Sequence, residues 1–205
     1  RFDCSEDIVI ELPRTEAEYE TALGKATRKS MRQRLTRTRG LTHQVLSGAA
    51  AADAALIDRI IAFNHARLAQ KARRSALDAS SARQLQLLMR ARGMAGLAHI
   101  DGRLCGGTLA CRIADDVYSL VNAHDPAYDR LGLGNLCRHL MILAAIRAGA
   151  RRFHLLGGNY ASKRASLAQR LTLQHVVLHR SRWGRVRDWR DQARWTLREV
   201  EMRLR

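Results

Sequence analysis

The strongest constraint on the fold is a hairpin signal in the middle of the chain. Asp101-Gly102 separates two runs of strand length, 94–100 and 103–113, that carry apolar residues with a period of two. Both central residues of a type I′ turn need positive φ, which Asp-Gly tolerates. A further run of this kind, 117–124, follows a short turn at 114–116. The sequence therefore predicts three consecutive antiparallel strands.

Helical patterns lie on both sides of these strands. Thr15 with Glu18 three positions later forms a capping-box pattern, and an i,i+4 apolar stripe predicts one helix from there to about Gly40. The other predicted helices begin at Asp53, about residue 80, Gly134, about residue 162 and residue 185, and further strands are predicted at 7–12, 42–46, 153–156 and 173–179. From residue 41 onward the predicted order is β-α-α-β-β-β-α-β-α-β.

The net charge of the chain predicts an anionic partner. Its 205 residues contain 36 Lys and Arg against 19 Asp and Glu, a formal net charge of +17. Such a balance concerns partners and not the fold, and it indicates a nucleic acid, an anionic membrane surface or a phosphorylated cofactor. Because a GC-rich genome also enriches Arg, the positions of the charges are more informative than their number.

Two segments concentrate the positive charge. The basic run 28–39 holds six cations and no acid, and the acid-free segment 130–187 holds twelve cations. A solvated surface normally mixes both signs, so at least one segment is expected to bind an anion. The candidate RNA-binding residues are Arg28, Lys29, Arg32, Arg34, Arg37, Arg39, Arg152 and Arg164.

Composition and spacing exclude several classes of protein. With 46% hydrophobic residues the chain can bury a core, and no apolar run reaches the length that crosses a bilayer. The four cysteines lack CxxC and CxxxxH spacing, and three fall within apolar patterns. This argues against a zinc or other metal site and predicts reduced core thiols in a cytoplasmic protein.

The element order resembles the GNAT acyltransferase fold, an α/β fold with a mixed, mostly antiparallel sheet flanked by helices. GNAT enzymes carry a (Gln/Arg)-x-x-Gly-x-(Gly/Ala) loop before a long helix, where amides hold a pyrophosphate. Here Gly132 and Gly134 match that loop, whereas Asp129 replaces its first residue. The resemblance implies donor binding by Arg130, Gly132, Gly134, Asn135 and, in a later glycine turn, Gly158.

A series of motifs in the second half narrows the resemblance. His124-Asp125-Pro126-x-Tyr128, Gly134-x-Leu136, the segment 152–158 and Lys163 follow one another in order. With the basic run 28–39, they are similar to the acetyltransferase family associated with cellulose biosynthesis and to the Fem-type aminoacyl transferases, which use aminoacyl-tRNA. The resemblance covers about residues 8–180. It implies an upstream GNAT-like domain or a homodimer.

The candidate catalytic residues follow from this resemblance and from their chemistry. Lys163 would stabilise an oxyanion or a donor phosphate, unless it is simply an exposed lysine on a short helix. Because no Glu occurs between Glu20 and Glu199, a glutamate base is missing. His124 is then the candidate base or amine-positioning residue and Tyr160 the candidate acid. Asn122 marks the part of the central strand whose amides would hold the oxyanion.

Together these features predict transfer of an acyl group from a large anionic donor to a small-molecule or peptide amine, mainly by proximity. The charge favours aminoacyl-tRNA over CoA as donor, since CoA carries few negative charges. Acyl-CoA and a non-catalytic GNAT domain that binds RNA or a partner are the alternatives. No tightly bound cofactor is expected. The regions predicted are a strand and basic helix at 1–40, a GNAT domain at 41–180 and an Arg- and Trp-rich helix at 181–205.

Overall fold

The structure, a computed structural model, describes residues 2–157 and 161–175. The predictions for Gly158, Tyr160 and the helix at 181–205 lie outside the described residues. The chain divides into two compact units, Glu6–Leu171 and a second unit made of Arg1–Ser5 with Thr172–Arg205. The described residues of the second unit belong to the first and last strands, and the site described below lies in the first unit.

Strands and helices alternate largely as predicted. The strands are β1 (Phe2–Glu11), β2 (Leu41–Ser47), β3 (Gly93–Ile100), β4 (Arg103–Ile113), β5 (Asp116–His124), β6 (Arg152–His154) and β7 (Gln169–His175). The helices are α1 (Glu16–Ala22), α2 (Lys25–Arg37), α3 (Ala54–Ala69), α4 (Ala79–Arg92), α5 (Leu133–Arg147) and α6 (Ala161–Arg164), with 3₁₀ turns at Gly48–Ala52 and Pro126–Leu131. The predicted mixed α/β fold is confirmed.

The sheet is built around the predicted hairpin. Asp101 and Gly102 have φ of 51° and 78°, and β3, β4 and β5 pair antiparallel. The strand order is β2-β3-β4-β5-β6-β1-β7. Because α5 forms the crossover between them, β6 lies parallel to β5, and β1 then pairs antiparallel with β6.

The segment predicted as one helix between Thr15 and Gly40 forms two helices. The capping box of Thr15 and Glu18 is present and starts α1. At Leu23 the backbone turns to an extended conformation, with ψ of 140°, and its side chain is buried. Gly24 then begins α2, which buries none of its own residues and so presents its basic side chains outward.

Helices cover both faces of the sheet. Met94 and Ala110 share a core cluster with α5, whereas their neighbours Ala95 and Leu109 share one with α3 and α4. Successive strand residues point to opposite faces, so α5 lies on one face and the α3–α4 pair on the other. None of the described helices is long and apolar enough to cross a membrane.

Candidate active site

The central strands separate at the middle of the sheet. β5 and β6 pair at only three positions, the last of which joins Tyr118 to His154. β6 then ends, while β5 continues to His124. Beyond Tyr118, the backbone groups on this edge of β5 therefore have no partner in any described strand.

A β-bulge lies in β5 at the same point. Leu109 pairs with Val121 and Ala110 with Ser119, so Leu120 is the extra residue. A cleft of about 340 Å³ opens here. It is lined by Asn64, Arg67, Leu68, Ser75, Ala76, Leu77, Ser119, Leu120, Val121, Asn122, Arg138, Leu155, Gly157 and Lys163. Two of these, Asn122 and Lys163, are among the site residues predicted from the sequence.

The loop that carries Gly132 and Gly134, called here the glycine loop, lies next to this cleft. Gly132 adopts the left-handed conformation, with φ of 66°, and caps α5 without a side-chain hydrogen bond. The first amides of a helix have no intrahelical partner, so they are available to an anion. Asn122 connects the loop to the cleft, because its Nδ2 donates to the carbonyl of Gly134 over 2.9 Å and its Oδ1 lies 3.2 Å from Thr108 Oγ1. Arg130 and Asn135 are exposed on either side of the two glycines.

Arg34 of α2 lies directly on Gly132. A Cβ added to Gly132 would overlap the Arg34 guanidinium, so only glycine permits this approach. Arg34 Nε lies 3.3 Å from Ser30 Oγ, and no carboxylate among the described residues pairs with the guanidinium. From the sequence, Arg34 is predicted to belong to an RNA surface and the glycine loop to bind the donor. The structure brings the two together.

His124 lies behind the loop and not among the residues that line the cleft. Its Nε2 is 2.6 Å from Asp129 Oδ1, and its Nδ1 is buried without a hydrogen-bond partner. A Cβ added to Gly134 would lie 3.2 Å from that Nδ1. This environment suits a residue that positions the loop.

Lys163 reaches the cleft from α6. Its Nζ donates to the carbonyls of Leu155, Leu156 and Gly157 over 2.7, 2.9 and 2.9 Å. Leu156 has φ of 55°, an unusual conformation for leucine that these bonds help to hold. Burial and the nearby charge of Arg138 lower the pKa of Lys163 to about 8.

Two arginines that sequence reasoning did not select also line the cleft. Arg138 is on α5, and Arg67 is on α3. The sequence places Arg138 among the cations of the acid-free segment 130–187. No sequence pattern indicated Arg67, because α3 was predicted from its apolar residues alone. No Asp or Glu is among the residues that line the cleft.

The remaining candidate RNA-binding residues fall into two groups. Arg28 donates to the carbonyl of Thr21, at the end of α1, over 2.6 Å, and Arg152 makes a bidentate ion pair with Asp116 at 2.9 and 2.7 Å. The others are exposed: Lys29, Arg32, Arg37, Arg39 and Arg164. A surface groove of about 880 Å³ between α1 and α2, called here the α1–α2 groove, is lined by five cations, Lys25, Arg28, Lys29, Arg32 and Arg37, and one acid, Glu20.

Several solved structures share this fold. FemX matches with a TM-score of 0.64 at 10% identity, covering 83% of this chain and 60% of FemX. The C-terminal domain of a protein described as a lysylphosphatidylglycerol synthetase, from Agrobacterium fabrum, matches with a TM-score of 0.58 at 14% identity, covering 83% of this chain and 59% of that one. At these identities the likeness shows the fold alone, and this chain spans about 60% of either structure. No curated protein matches the sequence.

The sequence also matches a family model over residues 25–164, which is described as an acetyltransferase (GNAT) domain. The match contains Arg34, the glycine loop and every residue that lines the cleft. The predicted GNAT fold is confirmed, and the match supports the prediction of an acyltransferase. The chain therefore belongs to the GNAT acetyltransferase-domain family.

Proposed function

We propose that this protein transfers an acyl group, and specifically an aminoacyl group, from aminoacyl-tRNA to an amine held in the cleft between β5 and β6. The observation that carries the proposal is the position of Arg34, whose guanidinium rests on Gly132 at the uncapped start of α5. A guanidinium and the positive end of a helix there act on the same donor phosphate.

The donor is held at two places under this proposal. Its terminal phosphate lies against the amides of Leu133 and Gly134 and against Arg34. More distant phosphates follow the exposed cations of the α1–α2 groove, such as Arg32 and Arg37. A long polyanion is the ligand that uses both places, which favours tRNA over CoA.

The chemical step is a direct aminolysis. The lone pair of a neutral amine attacks the donor carbonyl carbon, a C–N bond forms, and the C–O bond to the ribose breaks. The amine proton ends on the leaving oxygen. Bringing the two substrates together in the cleft provides most of the acceleration, since a bound pair reacts as one molecule.

The negative charge that develops on the carbonyl oxygen needs hydrogen-bond donors. We assign this role to the backbone N–H groups of β5 around Val121 and Asn122, which the bulge at Leu120 and the end of β6 leave at the cleft. Lys163 contributes its positive charge from the cleft wall, with its three N–H groups on carbonyls. His124 positions the glycine loop. We assign to Tyr160 the role of donating a proton to the leaving oxygen.

Acyl-CoA is the second candidate donor. The site formed by Gly132, the start of α5 and Arg34 suits a pyrophosphate equally well, and the family model is that of an acetyltransferase domain. Under this alternative, the α1–α2 groove plays no part in donor binding.

A transfer assay with two labelled donors tests the proposal. Aminoacyl-tRNA and acetyl-CoA, each labelled in the acyl group, are supplied with a panel of small amines and peptides, and mass spectrometry follows the label. Label that moves from tRNA to an amine supports the proposal. Transfer from CoA alone replaces it with the second candidate, and transfer from neither contradicts both.

A further inference from the structure

Three cations converge on the cleft without a carboxylate among its lining residues. Arg67, Arg138 and Lys163 come from three different helices, α3, α5 and α6. Burial lowers the pKa of Arg138, Tyr19 acts in the opposite direction, and the charge of Arg67 lowers the pKa as well. The charge of Arg138 acts in the same direction on Lys163. Like charges brought together in a partly buried site repel one another, and a bound anion would offset that repulsion.

One side of the cleft, called here the α3 wall, is formed by Asn64, Arg67 and Leu68 of α3 and by Ser75, Ala76 and Leu77 of the loop after it. Its polar atoms are suited to an oxyanion. Arg67 Nε is buried without a hydrogen-bond partner, a costly state for a charged donor. Asn64 accepts a bond from Ser75 Oγ over 2.8 Å through its Oδ1, so its Nδ2 is the group that it offers to a ligand. A carboxylate or phosphate oxygen would accept from both side chains.

This wall is held in place by its own hydrogen bonds. Leu77 N donates to Ser75 Oγ over 3.1 Å, and His65 Nε2 lies 2.7 Å from the carbonyl of Leu77. The loop that follows α3 is thereby tied back onto the helix. The cations of the cleft consequently face a preformed wall, as small-ligand sites usually do.

The position of Arg67 separates this wall from the donor phosphate site. α3 and α5 lie on opposite faces of the sheet, and the glycine loop opens at the start of α5. The cleft, at about 340 Å³, is at the small end of ligand sites and suits a group of amino-acid size. Since the donor phosphate binds at the very start of α5, the α3 wall and Arg138, which lies further along α5, are left for the acceptor.

We propose that the acceptor is an amine that also carries an anionic group, a carboxylate or a phosphate, and that Arg67, Arg138 and Asn64 bind that group. The identification of the bound molecule as the acceptor rests on the proposed acyl transfer. The existence of the anion site does not depend on it. Binding through the anionic group would place the amine beside the free edge of β5.

Lysine NMR on the whole chain tests the anion site without any transfer reaction. The chain has four lysines, Lys25, Lys29, Lys71 and Lys163, so a Lys163→Arg variant identifies the Lys163 signal. Inorganic phosphate and N-acetylglycine are the probes, because neither has an amine to react. We expect a saturable shift of the Lys163 signal and a rise of its pKa above about 8 when either probe binds. The absence of a saturable shift with both probes would overturn the proposal.

Matched variants identify the wall that binds the probe. Arg67→Gln is expected to weaken binding about tenfold, whereas Arg74→Gln, at an exposed arginine in the loop after α3, should bind as wild type does. Equal affinity in wild type and Arg67→Gln would contradict the assignment. If the Gln variant does not fold, Arg67→Lys, which keeps the charge but loses the guanidinium fork, is expected to weaken binding by a smaller factor.

Two further comparisons separate acceptor from donor. Addition of acetyl-CoA or charged tRNA should leave the probe bound. Displacement of the probe by either donor would mean that the cations of the cleft bind the donor and not the acceptor. In the transfer assay, glycylglycine should have a KM about tenfold below that of glycylglycinamide, which lacks the carboxylate. Equal KM values with active enzyme would reject the anionic acceptor while leaving acyl transfer intact. An inactive enzyme that still binds the probe would reject the proposed function alone.

Discussion

His124 and Asp129 are joined by a 2.6 Å hydrogen bond that ties the turn before α5 to the end of β5. Asp129 occupies the position where the GNAT loop pattern has Gln or Arg. Its carboxylate is engaged with the imidazole, so the residue that departs from the pattern holds the glycine loop in place. The phosphate-binding part of the loop, Gly132 and the start of α5, keeps its geometry.

This pair predicts similar behaviour for two variants. His124→Leu and Asp129→Ala should each lower the free energy of unfolding by about 1–3 kcal/mol and raise the KM for the donor, because each removes the hydrogen bond that holds the loop. The kcat at saturating donor should fall by less than about tenfold. Steady-state kinetics and thermal unfolding measure both effects. A kcat loss of about a hundredfold or more in His124→Leu alone would instead identify His124 as the general base.

A charge at Asn135 tests the phosphate site with little effect on the fold. Asn135 is exposed in the first turn of α5, where a carboxylate favours the helix dipole. Asn135→Asp should therefore keep or raise Tm while weakening donor affinity about tenfold, since the new charge repels a phosphate. Asn135→Ser is the neutral control and should bind the donor as wild type does, because the loop is expected to hold the phosphate through backbone amides, which this change keeps. Gly134 is a poorer choice, because any side chain there approaches His124.

The salt dependence of donor binding distinguishes tRNA from CoA. If six cations contact phosphates, log K should fall with log salt at a slope of about −4 to −5. Neutralising Arg32 and Arg37 together to Gln should reduce the magnitude of that slope by about 1.4 to 1.8 for tRNA and leave acetyl-CoA affinity unchanged. Arg34→Gln should weaken both donors, because Arg34 lies on Gly132.

Filter binding across a salt series provides this measurement. The matched control is Arg90→Gln with Arg92→Gln, two exposed arginines near the end of α4 on the opposite face of the sheet. A slope near zero for charged tRNA, or an unchanged slope in the Arg32 and Arg37 variant, would remove tRNA as the donor.

The elements with local signals were predictable from the sequence. β4 spans Arg103–Ile113 as expected, because Asp101-Gly102 and a second turn mark its two ends. The capping box at Thr15 also placed the start of α1 correctly. In each case the residues that determine the conformation lie within a few positions of one another.

Features that depend on contacts between distant segments were not predictable. The break falls between Leu23, which is buried in the core, and Gly24, which caps α2, and an i,i+4 stripe that continues past both residues does not show where one helix ends and the next begins. The position of Arg34 on Gly132 and the position of Arg67 beside the cleft likewise depend on how α2 and α3 pack in the folded chain. Sequence periodicity identified those helices but not the polar residue that each one contributes to the site.

Lys163 predicts a pH dependence of stability with a definite sign. Its pKa is lowered from 10.5 to about 8 by burial and by Arg138, and Asp7 acts in the opposite direction. Between pH 8 and the unfolded value, the unfolded chain therefore binds more protons than the folded chain, so this group makes the free energy of unfolding rise with pH. Lys163→Met removes the titrating group, together with its bonds to the carbonyls around Leu156. The difference in unfolding free energy, wild type minus variant, should increase from pH 8 to pH 10 in denaturant titrations. A difference that stays constant over this range would mean that Lys163 titrates normally and that its charge is compensated in the fold.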